Sequence, residues 1–350
     1  MRILSSVLGD ATGGRWQVVC DHSRILARRG HEVRLLVGAR QRDLSAVPQG
    51  VAVERIRNSG HYDLLAAWSA ARRLRGFAPH LAMAHCSRSV ALLKRALGAA
   101  VPVVAVSHSN KVRRLLPADA FVALTPHIRE QLMAEGDRRM RGKPCFVVPN
   151  MIRLRDRSSP RAATQNALPR LVALGRFDVV KGFDVFVRAL ADLRRQGLRF
   201  TAQLGGAGGE EQALKRLAHR LGLSEVLAFP GWVQDPPAFL AGADLLCVPA
   251  RADAFGLTPL QGAVAGVPLV LSRASGHLAM FGEEHEALFF AVDDAASLAT
   301  QIRRIVGDPE LAARLRSGAF ERVRTCYDEP RVGERLVQAV ERIVRAANSV

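Results

Sequence analysis

Two cations at a fixed spacing, Arg176 and Lys181, stand in the stretch LVALGRFDVVKGFDVFVRAL, residues 171–190. A buried-strand run, Leu171 to Leu174, ends in Gly175 and Arg176. Lys181 and Gly182 then open an amphipathic segment with Phe183, Val185, Phe186, Val187 and Leu190. That order reads as strand, basic loop, helix. Fixed cations between a strand end and a helix N-terminus suit a diphosphate, through charge-assisted hydrogen bonds and the helix's free N–H groups. The same pair also fits ordinary solvated loop cations, because a short motif by itself is only a hypothesis.

A second chemical stretch is DLLCVPARADAFGLTPLQGAVAGVPLVL, residues 244–271. A buried strand ends at Pro249, and a loop follows with Asp253, Phe255, Gly256 and Leu257. Asp253 can accept hydrogen bonds from sugar hydroxyls. Thr258-Pro259-Leu260-Gln261 has the form of a capping box, which assigns Gln261 to the Thr258 backbone. The competing reading turns Gln261 and Thr258 toward an anionic or hydroxyl-rich ligand. Further candidates are the tight turn Gly13–Gly14, where backbone can approach a ligand, and His108 at the end of a buried strand. The glycine cluster Gly205, Gly206, Gly208 and Gly209 lacks G-x-G-x-x-G spacing and reads as a loop near the ligand.

The elements around these residues alternate. Arg2–Leu8 reads as a strand and Arg15–Arg29 as a helix, with Val18, Val19, His22, Ile25 and Leu26 on its buried face. Gly30 sits at a C-cap position, and Glu32–Val37, Val101–Val106 and Phe121–Leu124 read as strands. Thr125–Pro126 opens a helix, and Cys145–Val148 is a last short strand before Pro149–Asn150. In the second half, strands at about 171–174, 199–204, 226–229, 244–248 and 267–271 alternate with helices. The tail from Ala295 is helical with a break near Gly307–Pro309. This is the pattern of doubly wound α/β domains. The expected organisation is a first domain over 1–152, a polar linker over 153–169, a second domain over 170–330, and a C-terminal helix over 331–350 that packs back on the first domain.

A chain of 350 residues exceeds one ordinary core, and 49% apolar with 23% charged residues fits a folded protein. No apolar run approaches the roughly 20 residues that span a bilayer. The N-terminus, MRILSSVLGD, suits a first strand better than a signal peptide, so a cytoplasmic address is expected. The five cysteines are far apart with no C-x-x-C, which reads as reduced thiols without zinc or disulfides. Charge is uneven. Residues 1–150 hold 24 Lys and Arg against 10 Asp and Glu, a net of +14 within the +18 of the chain. Such a field attracts anionic lipid or nucleic acid, although an arginine-rich coding bias would also produce it. Tyr62–Phe77 reads as a helix on which Leu65, Trp68 and Leu74 share an apolar side flanked by Arg72, Arg73 and Arg75. Interfacial helices have that form, as do ordinary core-packing ones.

Taken in order, these segments resemble family 4 glycosyltransferases, retaining nucleotide-sugar enzymes of GT-B architecture. Gly13–Gly14 followed by a helix to Gly30-His31-Glu32-Val33 is similar to the family's glycine loop and its RGHEV ending. VPVVAVSHS resembles its strand ending in a histidine, here His108. ADAFVALTPHIREQL and VVPNMI resemble its next helix entry and domain-closing segment. GRFDVVKG matches the Arg/Lys diphosphate motif. FPGWVQD, which contains Val233, resembles the loop against which the nucleotide base packs. DAFGLTPLQGAVAGVP stands where the family has two glutamates. Here those positions hold Asp253 and Gln261. Met151 replaces the glycine after PN, and Ser275-Gly276-His277 replaces a glycine pair.

The resemblance implies two Rossmann-like domains facing each other across a cleft. It implies transfer from a nucleoside diphosphate sugar with retained configuration and no metal or other cofactor. Arg176 and Lys181 would meet the diphosphate, Asp253 the sugar, and His108 the sugar or diphosphate from the first domain. Gly13, Gly14, Gly205, Val233, Phe255, Gly256, Leu257, Thr258 and Gln261 would line the substrate site, with Gln261 looking to the ribose. The acceptor expected with the basic first half is a glycolipid or lipopolysaccharide core at the cytoplasmic face of the inner membrane, with peripheral attachment. Nucleic acid binding is disfavoured by 5% aromatics without basic interleaving. A GT-B nucleotide-sugar epimerase and a degenerate nucleotide-sugar-binding protein are the alternatives.

Overall fold

The computed structural model of the protein describes residues 1–9, 13–41, 43–154 and 167–348. Contacts divide the chain into two compact units, residues 1–151 with 330–350, and residues 152–329. Most of the expected linker, residues 155–166, lies outside the described residues.

The first unit holds a sheet of seven strands: β1 (Arg2–Val7), β2 (Glu32–Gly38), β3 (Ala52–Ile56), β4 (Leu81–Ala84), β5 (Val103–Ser107), β6 (Ala120–Ala123) and β7 (Cys145–Val147). Their order is β3-β2-β1-β4-β5-β6-β7. The second unit holds β8 (Arg170–Leu174), β9 (Thr201–Gly205), β10 (Leu227–Ala228), β11 (Leu245–Val248), β12 (Leu269–Ser272) and β13 (Leu288–Phe290). Their order is β10-β9-β8-β11-β12-β13. Every ladder is parallel. The chain therefore winds outward from the central strand, reverses, and winds to the other edge, twice. Each reversal leaves a crevice at the carboxyl ends of the two middle strands, where open α/β sheets take their ligands. In the first unit those strands are β1 and β4, and in the second β8 and β11.

Burial on both faces explains the strand sequences. Every residue of β4, β5, β6, β11 and β12 is buried. Parallel strands covered by helices read as continuous apolar runs rather than alternating ones. β4 was not anticipated. Its sequence, Leu-Ala-Met-Ala, has no β-branched residue and favours helix in isolation, so tertiary burial overrides local preference.

Helix Glu329–Asn348 places Val332, Leu336, Val340 and Ile343 in the same apolar core as Ile3, Val19, Leu35 and Val104. Helix Leu64–Leu74 buries Ala66, Ala67, Ala70 and Leu74. Leu65 and Trp68 stay 82% and 65% exposed. Leu74 therefore does not share an apolar side with them, and the exposed group is instead Tyr62, Leu64, Leu65 and Trp68. Small alanines allow the inner face to approach its neighbours closely, and the bulky residues fall on the other side.

Candidate active site

At the reversal point of the second sheet, β8 delivers Gly175 and Arg176. A short 3-10 turn, Val179–Lys181, then leads into helix Phe183–Arg195. Gly182 joins turn to helix with φ 64° and ψ 25°, a left-handed conformation natural to glycine. A Cβ there would stand 2.1 Å from the Pro249 carbonyl oxygen. The absence of a side chain thus lets the Lys181 turn lie directly on the end of β11. The turn is held from the other side too, since the Arg251 N–H donates to the Val180 carbonyl at 2.9 Å. The Arg251 guanidinium donates to both carboxylate oxygens of Asp184 at 2.9 Å.

Lys181 and Asp253, 72 residues apart in sequence, meet here. The Lys181 ammonium lies 2.7 Å from Asp253 Oδ2. Asp253 Oδ1 accepts from the Phe255 N–H at 3.3 Å. Burial would raise the Asp253 carboxyl, but Lys181 and His277 beside it hold it below the ordinary value. Arg176 pairs loosely with Asp178 at 3.2 Å and keeps a side chain 61% exposed, free to turn to a ligand.

The other predicted residues distribute unevenly. Gly205 and Val233 come together, since a Cβ on Gly205 would stand 2.6 Å from Val233 Cγ2. Gly256 turns the loop at φ 72° against the Asp253 carboxylate. Phe255 does not present its ring to the crevice. It is buried and packs edge-on against Tyr327, with ring centroids 5.3 Å apart, so only its backbone faces Asp253. The capping box does not form. Helix Thr258–Val264 begins with Thr258 inside it and Leu257 at the cap, without a side-chain capping bond. Gln261 is half-buried and its amide makes no hydrogen bond among the described residues.

At the reversal point of the first sheet, Gly13 caps helix Gly14–Arg28 with φ 58°. Gly14 and Arg15 follow, exposed. His108 follows β5, and its Nε2 lies 3.0 Å from Nδ1 of His85, which follows β4. His85 stacks on His108 at 5.2 Å and meets His22 at 5.5 Å. His22 and His85 are fully enclosed, and both ring nitrogens of His22 and Nε2 of His85 have no partner among the described residues. Burial pushes His108 down to about 3, with Arg15 and His22 adding to the effect. Burial alone takes His22 to about 4. His85 falls well below its ordinary value, by burial first and then by His108 and His22. The cluster is therefore uncharged at neutral pH. Sequence reading found His108, and it counted His22 as a buried-face residue. It missed His85 and Arg15. The signal for His85 was its place after an unrecognised strand.

Comparison with known proteins identifies the family and the fold. The family described as Glycosyltransferase Family 4 matches residues 12–156, and Glycosyl transferases group 1 matches residues 155–322. The chain belongs to the family 4 glycosyltransferases. Among curated relatives of this glycosyltransferase is the lipopolysaccharide core biosynthesis glycosyltransferase LpsD of Rhizobium meliloti, 29% identical over 226 residues. That match spans 63% of this chain and 63% of LpsD. LpsE of the same organism is 28% identical over 244 residues, 69% of this chain and 70% of LpsE. Among solved structures, Anabaena Alr3699/HepE in complex with UDP and glucose superposes with a TM-score of 0.83 at 18% identity. It covers 97% of this chain and 99% of its own. The apo form of the lipopolysaccharide outer core galactosyltransferase WaaB gives 0.75 at 15% identity, covering 98% and 99%. The GT-B fold of this glycosyltransferase is thus shared along its whole length.

Proposed function

We propose that this glycosyltransferase moves a sugar from a nucleoside diphosphate sugar to a glycolipid or lipopolysaccharide-core acceptor, with retention of configuration. One observation carries the donor half: Arg176, Lys181 and Asp253 converge at the reversal point of the second sheet. The leaving group is a diphosphate, and its developing charge needs fixed positive partners. Arg176 and Lys181 supply them without a metal, and Asp253 accepts from a sugar hydroxyl. Gly205 and Val233 border the nucleotide, and Gln261 bonds the ribose as a neutral acceptor, weaker than a carboxylate. His108 offers a neutral imidazole that can bond a hydroxyl or phosphate oxygen. HepE, solved with UDP and glucose, supports the donor class, and the core-biosynthesis relatives support the acceptor class.

The test is a thermal-shift screen with UDP, GDP, ADP and their common sugars, in wild type and Arg176→Ala. A ligand that binds only the native state raises its stability. Stabilisation by one nucleotide, lost in Arg176→Ala, is expected. No response from well-folded protein would shift the reading to a degenerate or binding role.

The acceptor half places the first unit against an anionic membrane surface. Tyr62, Leu64, Leu65 and Trp68 form an exposed apolar group, with Arg72 over Trp68 at 5.9 Å and Arg95 over Tyr62 at 5.6 Å. Apolar residues ringed by arginines match the chemistry of an anionic lipid interface. Among the described residues no helix is long and apolar enough to cross a membrane. Sedimentation with anionic vesicles is expected to capture the protein at low salt and release it at high salt. Equal recovery with neutral vesicles would overturn this placement.

A further inference from the structure

Asp253 has a second neighbour, His277. This residue lies near the start of helix Ser275–Met280 beyond β12, in the Ser275-Gly276-His277 stretch that departs from the family's paired glycines. It is fully buried, and its Nε2 lies 4.0 Å from Asp253 Oδ2, the same oxygen that Lys181 holds at 2.7 Å. The Gly276 N–H donates to the Asp253 carbonyl at 3.1 Å, tying the two segments together.

The tautomer of His277 follows from its other nitrogen. Nδ1 faces the Ser272 carbonyl at 3.0 Å and the Ser272 hydroxyl at 3.1 Å. That hydroxyl spends its hydrogen on the Ala250 carbonyl at 2.6 Å. Both atoms facing Nδ1 are therefore acceptors, and Nδ1 carries the proton. In the neutral ring Nε2 is then a bare acceptor. It points at a carboxylate oxygen and has no hydrogen-bond partner among the described residues. Two acceptors face each other in a buried site, an arrangement kept tolerable by the charge of Lys181 on Asp253.

A diphosphate competes for that charge. We propose that His277 takes up a proton when a nucleoside diphosphate draws Lys181 from Asp253, so that donor binding is coupled to proton uptake. The inference rests on the donor reading above. Before binding, the group balances as one carboxylate, one ammonium and one neutral ring. Afterwards the ammonium serves the phosphate, and an imidazolium replaces it beside Asp253. The only bond formed within the protein is Nε2–H, with the proton drawn from solvent. Closing the gap to a hydrogen bond needs about 1 Å of side-chain movement.

The charges acting on His277 come from two elements, Asp253 in the loop after β11 and Lys181 in the turn before helix Phe183–Arg195. Ser272 of β12 contributes only hydrogen bonds. Burial first, and Lys181 as well, hold His277 down, whereas Asp253 and Ser272 raise it. Withdrawing Lys181 removes one of the two restraints. His277 is a positioning residue here, acting through Asp253 rather than on the reacting atoms.

The experiment is calorimetric titration with UDP, and with GDP and ADP as further probes. It uses two buffers of different ionisation enthalpy between about pH 6.5 and 8.5, spanning the range above an ordinary histidine. Wild type should take up more protons than the nucleotide's own titration supplies. Its affinity should weaken with rising pH by up to about tenfold per unit. His277→Gln should lose the extra uptake and flatten the slope. Should that variant fold poorly, nitrogen NMR of histidine-labelled wild type reads the same event, as a shift of one buried ring from neutral to protonated on adding UDP. Binding with identical proton uptake in both proteins, or an unchanged ring signal, overturns the proposal. Failure of all three nucleotides to bind overturns the donor reading and the proposal with it.

Discussion

The two sheets share one winding order over their first six strands but carry opposite chemistry at their reversal points. The second gathers charge: Arg176, Lys181 and Asp253, with an ion pair only partly shielded from solvent. The first gathers buried, neutral histidines, with the exposed Arg15 nearby. Strand order thus decides where a crevice lies, and the residues after each strand decide what it can hold. A charged crevice suits a leaving diphosphate. A neutral one, opening at the half-buried His108, suits hydroxyls.

The sharpest way to break that contrast is to remove the charge. Lys181→Ala is expected to lower kcat/KM by about 10²- to 10³-fold, the usual effect of deleting one donor to a developing anion. Steady-state kinetics check this, and a loss below tenfold would remove Lys181 from the leaving-group role. Gly182→Ala should approach it by indirect means. A methyl group driven into the Pro249 carbonyl must displace the Lys181 turn, and a strained backbone costs about 1–3 kcal/mol. Chemical denaturation reads the stability loss, and nucleotide affinity should fall with it.

The neutral region should show itself in acid. His22, His85 and His108 have folded values below the unfolded 6.5. The unfolded chain therefore binds more protons as pH falls below 6.5, and stability is lost from there downward toward about 4, where His22 titrates in the folded state. Each such group contributes on the order of 1.4 kcal/mol per pH unit in that window. Asp253 acts later. Its folded value is depressed, so its contribution persists until pH falls through the carboxylate range. His277 is likewise held down in the second unit, but one such ring stands against three in the first, so hydrogen exchange at stepwise lower pH should open the first unit before the second. Simultaneous opening would mean that the histidine cluster is not neutral. The smallest effect is expected at Gln261→Glu, where restoring a charged acceptor should tighten nucleotide binding no more than several-fold.

How much of this was legible beforehand depended on distance along the chain. Arg176, Lys181 and the helix behind them lie within one local pattern, and they appear where that pattern put them. Asp253 was recognisable by its motif. Its pairing with Lys181 joins segments 72 residues apart, which no local periodicity reveals. His85 was hidden because β4 carries helix-favouring residues, so nothing announced a strand end. His277 showed only as a departure from a pattern, since its meaning depends on Ser272 and Asp253 meeting it in space. Phe255 illustrates the opposite error: a motif residue whose side chain serves the core.

The last helix carries a consequence for how the protein is made. Val332, Leu336, Val340 and Ile343 complete the apolar core of the first unit, although they are translated only after the whole second unit. During synthesis the first sheet must wait with that face uncovered while the entire second unit emerges and folds. Exposed apolar surface of this kind invites aggregation. Emergence of helix Glu329–Asn348, rather than completion of the first 151 residues, is the event that seals the first unit.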